Sequence, residues 1–205
     1  MPTARKPTTR RRRPVQARSQ QTVAAILEAA ARLYERGSTT TNRIAQLAGV
    51  SIGSLYEYFP DKDAIINALL DKHMRAATEE LLAELNALDP EMTPLELGIR
   101  RLVDLMLDLH ADRPGLHRLF VARLMGLPMT RLRLSQVELE LRREVIAWLR
   151  SQPEVSVADV ALAGRVIVQS TDALVHRYVE DDEGVSPEDF AAELTRLWTA
   201  YLRGL

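Results

Sequence analysis

From Thr22 onward the apolar residues Val23, Ile26, Leu27, Ala30, Leu33 and Tyr34 recur at steps of three and four, and Gly37 follows as a stop. That spacing predicts an amphipathic helix. After Ser38 to Thr41, the residues Ile44, Ala45, Leu47 and Ala48 leave room for a short second helix before Gly49. Ser51 offers an N-cap for a third, carrying Leu55, Tyr56 and Phe59 and ended by Pro60. Asp61 caps a long fourth helix running to about Leu88. Thr93-Pro94-Leu95-Glu96 has the form of a capping box and opens a fifth to about His110. Asp112 and Pro114 open a sixth, and residues 130–151 form a seventh around Leu134, Val137, Leu141, Val145 and Trp148. Ser156 and Asp159 open an eighth to about Val179, and Ser186-Pro187-Glu188-Asp189 opens the last. The pattern predicts about nine helices, no strand and no solenoid period. The fold class is all-α.

Two helices carry more apolar surface than one core needs. Residues 157–179 are apolar on nearly every side, through Val160, Leu162, Val166, Val168, Leu174, Val175 and Tyr178. Such a helix is buried all round, most simply between its own domain and a second copy. The last helix adds a stripe of Phe190, Leu194, Leu197, Trp198 and Tyr201.

Charge divides the chain. Its net charge of -1 conceals 13 Lys/Arg against 6 Asp/Glu in residues 1–75, and 14 against 22 in the remainder. This asymmetry points to a polyanion at one end. Residues 1–17 read as a disordered basic arm containing Arg10, Arg11, Arg12 and Arg13, which either engages that polyanion or remains a solvated tail. No secretory signal or membrane span is legible, so a cytoplasmic protein is expected. The 205 residues include no cysteine, which removes disulfides, thiolate nucleophiles and cysteine-ligated metals.

A short helix, a tight turn containing Gly49-Val50-Ser51 and a second short helix specify a helix-turn-helix over residues 41–60. Ile44, Leu47, Val50, Leu55 and Phe59 can form a small core beneath it. The string TTTNRIAQLAGVSIGSLYEYFPDKDAI resembles the DNA-binding segment of the TetR family of bacterial regulators, through Ile44-Ala45, Ala48 to Ser51, Gly53, Leu55, Tyr56, Phe59 and Lys62. The resemblance implies a DNA-binding domain over residues 18–75 and a helical ligand-binding and dimerisation domain over residues 76–205.

It also implies that the third helix enters the major groove of double-stranded DNA. Ile52, Gly53 and Ser54 would then face bases, with Tyr58 a turn further on; Ile52 can offer only van der Waals contact, for example with a thymine methyl. Asn42 can reach a base edge. Thr41, Arg43, Tyr56, Tyr58 and Lys62 can contact phosphate, and Ser51 belongs to the same face. Glu57 is discordant, because an acid there is repelled by phosphate.

The family's C-terminal domains imply a small-molecule pocket, for which Leu102, Met106, His110, His117, Phe120, Leu124, Met125 and Trp148 are the candidates. Their apolar character suits an apolar or amphiphilic effector, while taken one by one they read more readily as ordinary core. The implied homodimer interface takes Val168, Leu174, Val175, Leu194, Leu197, Trp198 and Tyr201. Two-fold symmetry then implies a near-palindromic operator. Asp172 and His176, four apart, have metal-ligand spacing, and His110, Asp112 and His117 form another loose group. A third ligand cannot be assigned to the pair, and paired polar groups at a dimer interface are commoner than metal sites, so no metal and no cofactor is expected. No nucleophile, base and orienting group form a set, and an enzyme is not expected. The expected protein is a transcriptional repressor released from DNA by a ligand. A DNA-binding architectural protein without an inducer, or a helical enzyme using His110 or His117 as base, are the alternatives.

Overall fold

The computed structural model describes residues 13–124, 128–180 and 184–205, and among these it holds nine α-helices and no strand. They are α1 (Arg13–Glu35), α2 (Thr41–Ala48), α3 (Ile52–Tyr58), α4 (Lys62–Asn86), α5 (Leu95–Ala111), α6 (Pro114–Leu124), α7 (Pro128–Ser151), α8 (Val160–Glu180) and α9 (Pro187–Arg203). The chain divides into two compact units, Met1–Leu69 and Leu70–Leu205; the division falls inside α4, earlier than the residue 75 expected from the sequence.

In the first unit α1 starts at Arg13, so the last residues of the expected basic arm are helical. Arg, Gln and Ala are good helix formers, and a solvated extension needs no apolar stripe. Periodicity therefore marked only the part of α1 that is buried, where Ile26, Leu27, Ala30 and Tyr34 lie. α1 packs on α2, and α2 on α3. Thr40 caps α2 by accepting from the Arg43 N–H at 3.3 Å. Gly49 ends it at φ 69°, a left-handed conformation that an L side chain would strain. Ser51 caps α3 by accepting from the Ser54 N–H at 3.0 Å. Ile44, Leu55 and Phe59 are buried as expected, but Leu47 is 50% exposed and does not join them. The buried face of α2 is centred between Ile44 and Ala45, and Leu47 lies about 110° around the helix from that centre.

The core of the second unit joins Leu85 and Leu88 to Ile99, Val103 and Leu107 of α5, Trp148 and Leu149 of α7, Val175 of α8, and Leu194, Trp198 and Leu202 of α9. Gly98 permits a close approach: a Cβ there would stand 2.5 Å from Cζ2 of Trp148. The expected capping box at Thr93 does not form. Pro94 occupies the N-cap of α5 without a side-chain hydrogen bond, and Thr93 is buried. Instead Glu154, from the segment joining α7 to α8, accepts the Leu95 N–H at 2.9 Å. Arg203 at the end of α9 donates its Nε–H to the same carboxylate at 3.0 Å. Ser156 follows with two bonds to the end of α9, its N–H donating to the Leu202 carbonyl at 2.8 Å and its hydroxyl to the Arg203 carbonyl at 2.6 Å. At α9 the local cap forms as expected, Ser186 accepting from the Asp189 N–H at 3.0 Å.

Within one chain α8 is buried on one side only. Ala163, Gly164, Thr171 and Val175 face the core, while Leu162, Val166 and Leu174 are exposed. Among the described residues no helix is long and apolar enough to cross a membrane.

Candidate functional site

The surface of the first unit gathers the residues expected to meet DNA. Asn42, Arg43, Ile52, Gly53 and Tyr56 are exposed, and Thr41, Ser54, Tyr58 and Lys62 are half-buried. The Thr41 and Tyr56 hydroxyls lie 3.1 Å apart, so the start of α2 and the middle of α3 share one hydrogen-bonded point. Ser51 is exposed, but its hydroxyl already accepts the Ser54 N–H and donates to the Ser54 hydroxyl at 2.9 Å, which reduces what it can offer DNA. The Lys62 ammonium lies 5.6 Å from the Tyr34 ring centre, a cation–π contact that holds it at the first turn of α4. Glu57 is exposed.

Gly53 has no packing reason to be glycine. Its φ is not in the left-handed region, and an added Cβ would meet nothing nearer than the Ser51 Oγ at 3.8 Å. Leu47, Ile52 and Tyr56 expose large apolar surface on the same small unit. Arg10, Arg11 and Arg12 lie outside the described residues, as does the side chain of Arg13.

The second unit encloses a cavity of about 460 Å³. Leu102, Met106, His110, His117, Phe120 and Trp148 line it, six of the residues expected there. Met125 and the side chain of Leu124 lie outside the described residues. The sequence reading missed Met74, Leu81 and His73 of α4 and Thr171, Asp172 and His176 of α8. Spacing gave a partial signal for the last two, as a pair one turn apart, but none for their meeting His110 and His117. Burial lowers the pKa of His73 and of His110; it also lowers that of His117, to about 4, with the neighbouring His110, His176 and His73 acting in the same direction. These three rings are therefore neutral at pH 7.

The residues expected at a dimer interface separate into two groups. Val175, Leu194 and Trp198 are buried in their own chain's core, and Val168 lines the cavity. Leu174, Leu197 and Tyr201 are exposed, and Leu162 and Val166 extend the exposed apolar surface along α8. The sequence could name the apolar helices but not which of their faces one chain already covers.

Two short helices, each capped at its start and joined by a left-handed glycine turn, define a helix-turn-helix DNA-binding protein. Residues 26–69 match the family model described as bacterial regulatory proteins, tetR family, and residues 94–202 match the tetracyclin repressor-like C-terminal domain. The chain belongs to the TetR family, and it is a DNA-binding transcriptional regulator and not an enzyme. It is 28% identical over 190 residues to the nucleoid occlusion factor SlmA of Vibrio vulnificus, covering 87% of this chain and 94% of that one. It is 34% identical over 125 residues to the transcriptional regulator RutR of Escherichia coli, 60% of this chain and 56% of that one. Among solved structures, the TetR family transcriptional regulator PfmR of Thermus thermophilus superposes with a TM-score of 0.61 at 26% identity, over 88% of this chain and 98% of the other.

Proposed function

We propose that the protein is a homodimeric repressor that leaves a near-palindromic operator when an apolar or amphiphilic small molecule occupies the second unit. The cavity carries this reading. A space of about 460 Å³, lined mainly by Leu, Met, Ile, Val and aromatic side chains and also by polar ones, four of them histidines, has the size and chemistry of a small-molecule site. A tightly packed core would not retain it. The exposed apolar stripe of Leu162, Val166, Leu174, Leu197 and Tyr201 supports pairing of two chains through α8 and α9. Base reading falls to Ile52, Gly53, Ser54 and Asn42, and phosphate contact to Thr41, Arg43, Tyr56, Tyr58 and Lys62.

The effector shifts operator affinity only by as much as it prefers the DNA-incompetent state. Selection of bound duplexes from a random DNA pool at near-physiological salt tests the first half. Enrichment of an inverted repeat is expected, and release from that repeat by a small apolar molecule tests the second half. The likeness to a nucleoid occlusion factor favours one other reading, a DNA-bound protein with no inducer. Salt-sensitive binding without an enriched sequence would select that reading instead.

A further inference from the structure

The chain contains four histidines, and all of them, His73, His110, His117 and His176, line the same cavity. Three close in on one another. His110, His117 and His176 come from α5, α6 and α8, and one potential ligand atom from each lies within 4.8 Å of the others. The ring centres of His110 and His176 are 4.5 Å apart, and each is 4.9 Å from that of His117.

The proton positions follow from the hydrogen bonds. His110 Nδ1 lies 2.7 Å from the Met106 carbonyl, and His176 Nδ1 lies 2.8 Å from the Asp172 carbonyl. A carbonyl can only accept, so Nδ1 carries a proton in both rings, which leaves Nε2 as the atom that a cation would bind. Backbone acceptors that fix the tautomer and aim of an imidazole in this way are the usual support of metal-binding histidines. His117 is 6% exposed, and its Nε2 is buried with no hydrogen-bond partner among the described residues. A buried nitrogen of this kind calls for something that binds it.

From these observations we infer that His110, His117 and His176 form a site for a divalent transition metal of borderline softness, Zn²⁺ or its neighbours Co²⁺, Ni²⁺ and Cu²⁺. An all-imidazole set suits these ions, whereas Mg²⁺ and Ca²⁺ require oxygen ligands. Metal–nitrogen bonds of about 2.0–2.1 Å in a tetrahedral site place the nitrogens about 3.4 Å apart, a closure that modest side-chain rotation achieves. Three protein ligands leave the fourth position open on the cavity side, where water or the donor atom of an effector completes the shell. The metal would pin α5, α6 and α8 together.

Untagged full-length protein, stripped with a chelator and dialysed, is titrated with Co²⁺. The expected result is one Co²⁺ per chain with the intense visible d–d bands of a four-coordinate site, displaced by Zn²⁺, and a Zn²⁺-dependent rise in Tm. His117→Gln and His176→Gln should each weaken Zn²⁺ binding at least about 100-fold, the upper end of what loss of a group that merely orients a ligand costs. Circular dichroism at matched temperature confirms that each variant is folded, and the more accessible His176 serves if His117→Gln does not fold. His73→Ala should leave the bands unchanged. Absence of the bands in the wild-type protein, only the faint bands of six-coordinate Co²⁺, or bands that persist in both glutamine variants would overturn the site. The test is independent of the repressor reading, since operator selection is scored without reference to metal.

Discussion

Glu154→Ala removes the acceptor that starts α5, and the structure fixes what that costs. Leu95 is fully buried, and its N–H donates to Glu154 Oε1 at 2.9 Å. Leaving such a donor unmatched, at a helix start with no side-chain cap, costs about 1–2 kcal/mol. The ion pair with Arg203 adds less: both side chains are about a third exposed, and such pairs contribute about 0.2–1 kcal/mol. The total is about 2 kcal/mol, which lowers Tm by about 4–8 °C in a chain of this length. Thermal unfolding followed at 222 nm, with urea unfolding as a check, measures it. Glu154→Gln keeps an oxygen for Leu95 and loses the charge, so it should recover about half of the loss. Arg203→Ala should be nearly silent in the Glu154→Ala background.

The acid limb gives a further test of the same contact. The Leu95 N–H first, and Arg203 second, hold the Glu154 carboxyl below its ordinary value of 4.5. Its stabilisation is therefore present above pH 4.5 and is lost as pH falls through the lower folded value. Glu154→Gln should lack that component. A Glu154→Ala protein within about 1 °C of wild type would refute the reasoning, because α5 would then start without this acceptor.

Other substitutions separate the two units. Gly53→Ala should leave the fold intact, and helix propensity favours it by up to about 1 kcal/mol, yet operator affinity should fall by at least about tenfold because the methyl meets only DNA; unchanged affinity in a fluorescence anisotropy titration would remove Gly53 from the interface. Leu197→Glu, on a residue 50% exposed in one chain, should barely alter the helical signal but convert dimer to monomer in sedimentation equilibrium; a dimer that persists would place the interface elsewhere. In chelated protein, the depressed His117 value predicts stability that is full above pH 6.5 and is lost by up to about 3 kcal/mol as pH falls towards 4, with His73 and His110 adding in the same direction. A flat urea midpoint across that range would contradict it. If four arginines each neutralise one phosphate, deleting residues 1–13 should reduce the slope of log affinity against log salt by about 3 to 4. An unchanged slope would assign the arm no role in DNA binding.

What the sequence determined by itself are the features closed within one or two helical turns. Apolar steps of three and four marked the helices, Ser51 and Ser186 marked their starts, and Gly49 marked the turn, because in each case the partner lies a few residues away and chain geometry fixes the contact. The string from Thr39 to Ile65 carries the family for the same reason, its small core and caps being local. The buried faces of longer helices were less legible. A stripe shows that a face is apolar, not whether its own chain covers it, so Val175 and Trp198 could not be told from Leu174 and Leu197 until α5, α8 and α9 were packed.

Contacts across long stretches of chain were decided only by tertiary structure. Thr93 looked like a cap, yet the acceptor came from Glu154, 59 residues away, because packing buries Thr93 and brings the segment between α7 and α8 over the start of α5. His110, His117 and His176 read as scattered polar residues on apolar helices. Only the packing of α5, α6 and α8 brings a potential ligand atom of each imidazole to within 4.8 Å of the others and leaves a buried nitrogen with no hydrogen-bond partner among the described residues. Periodicity records the side on which each helix is apolar, and nothing in it records which polar residues of different helices will face one another across the space they enclose.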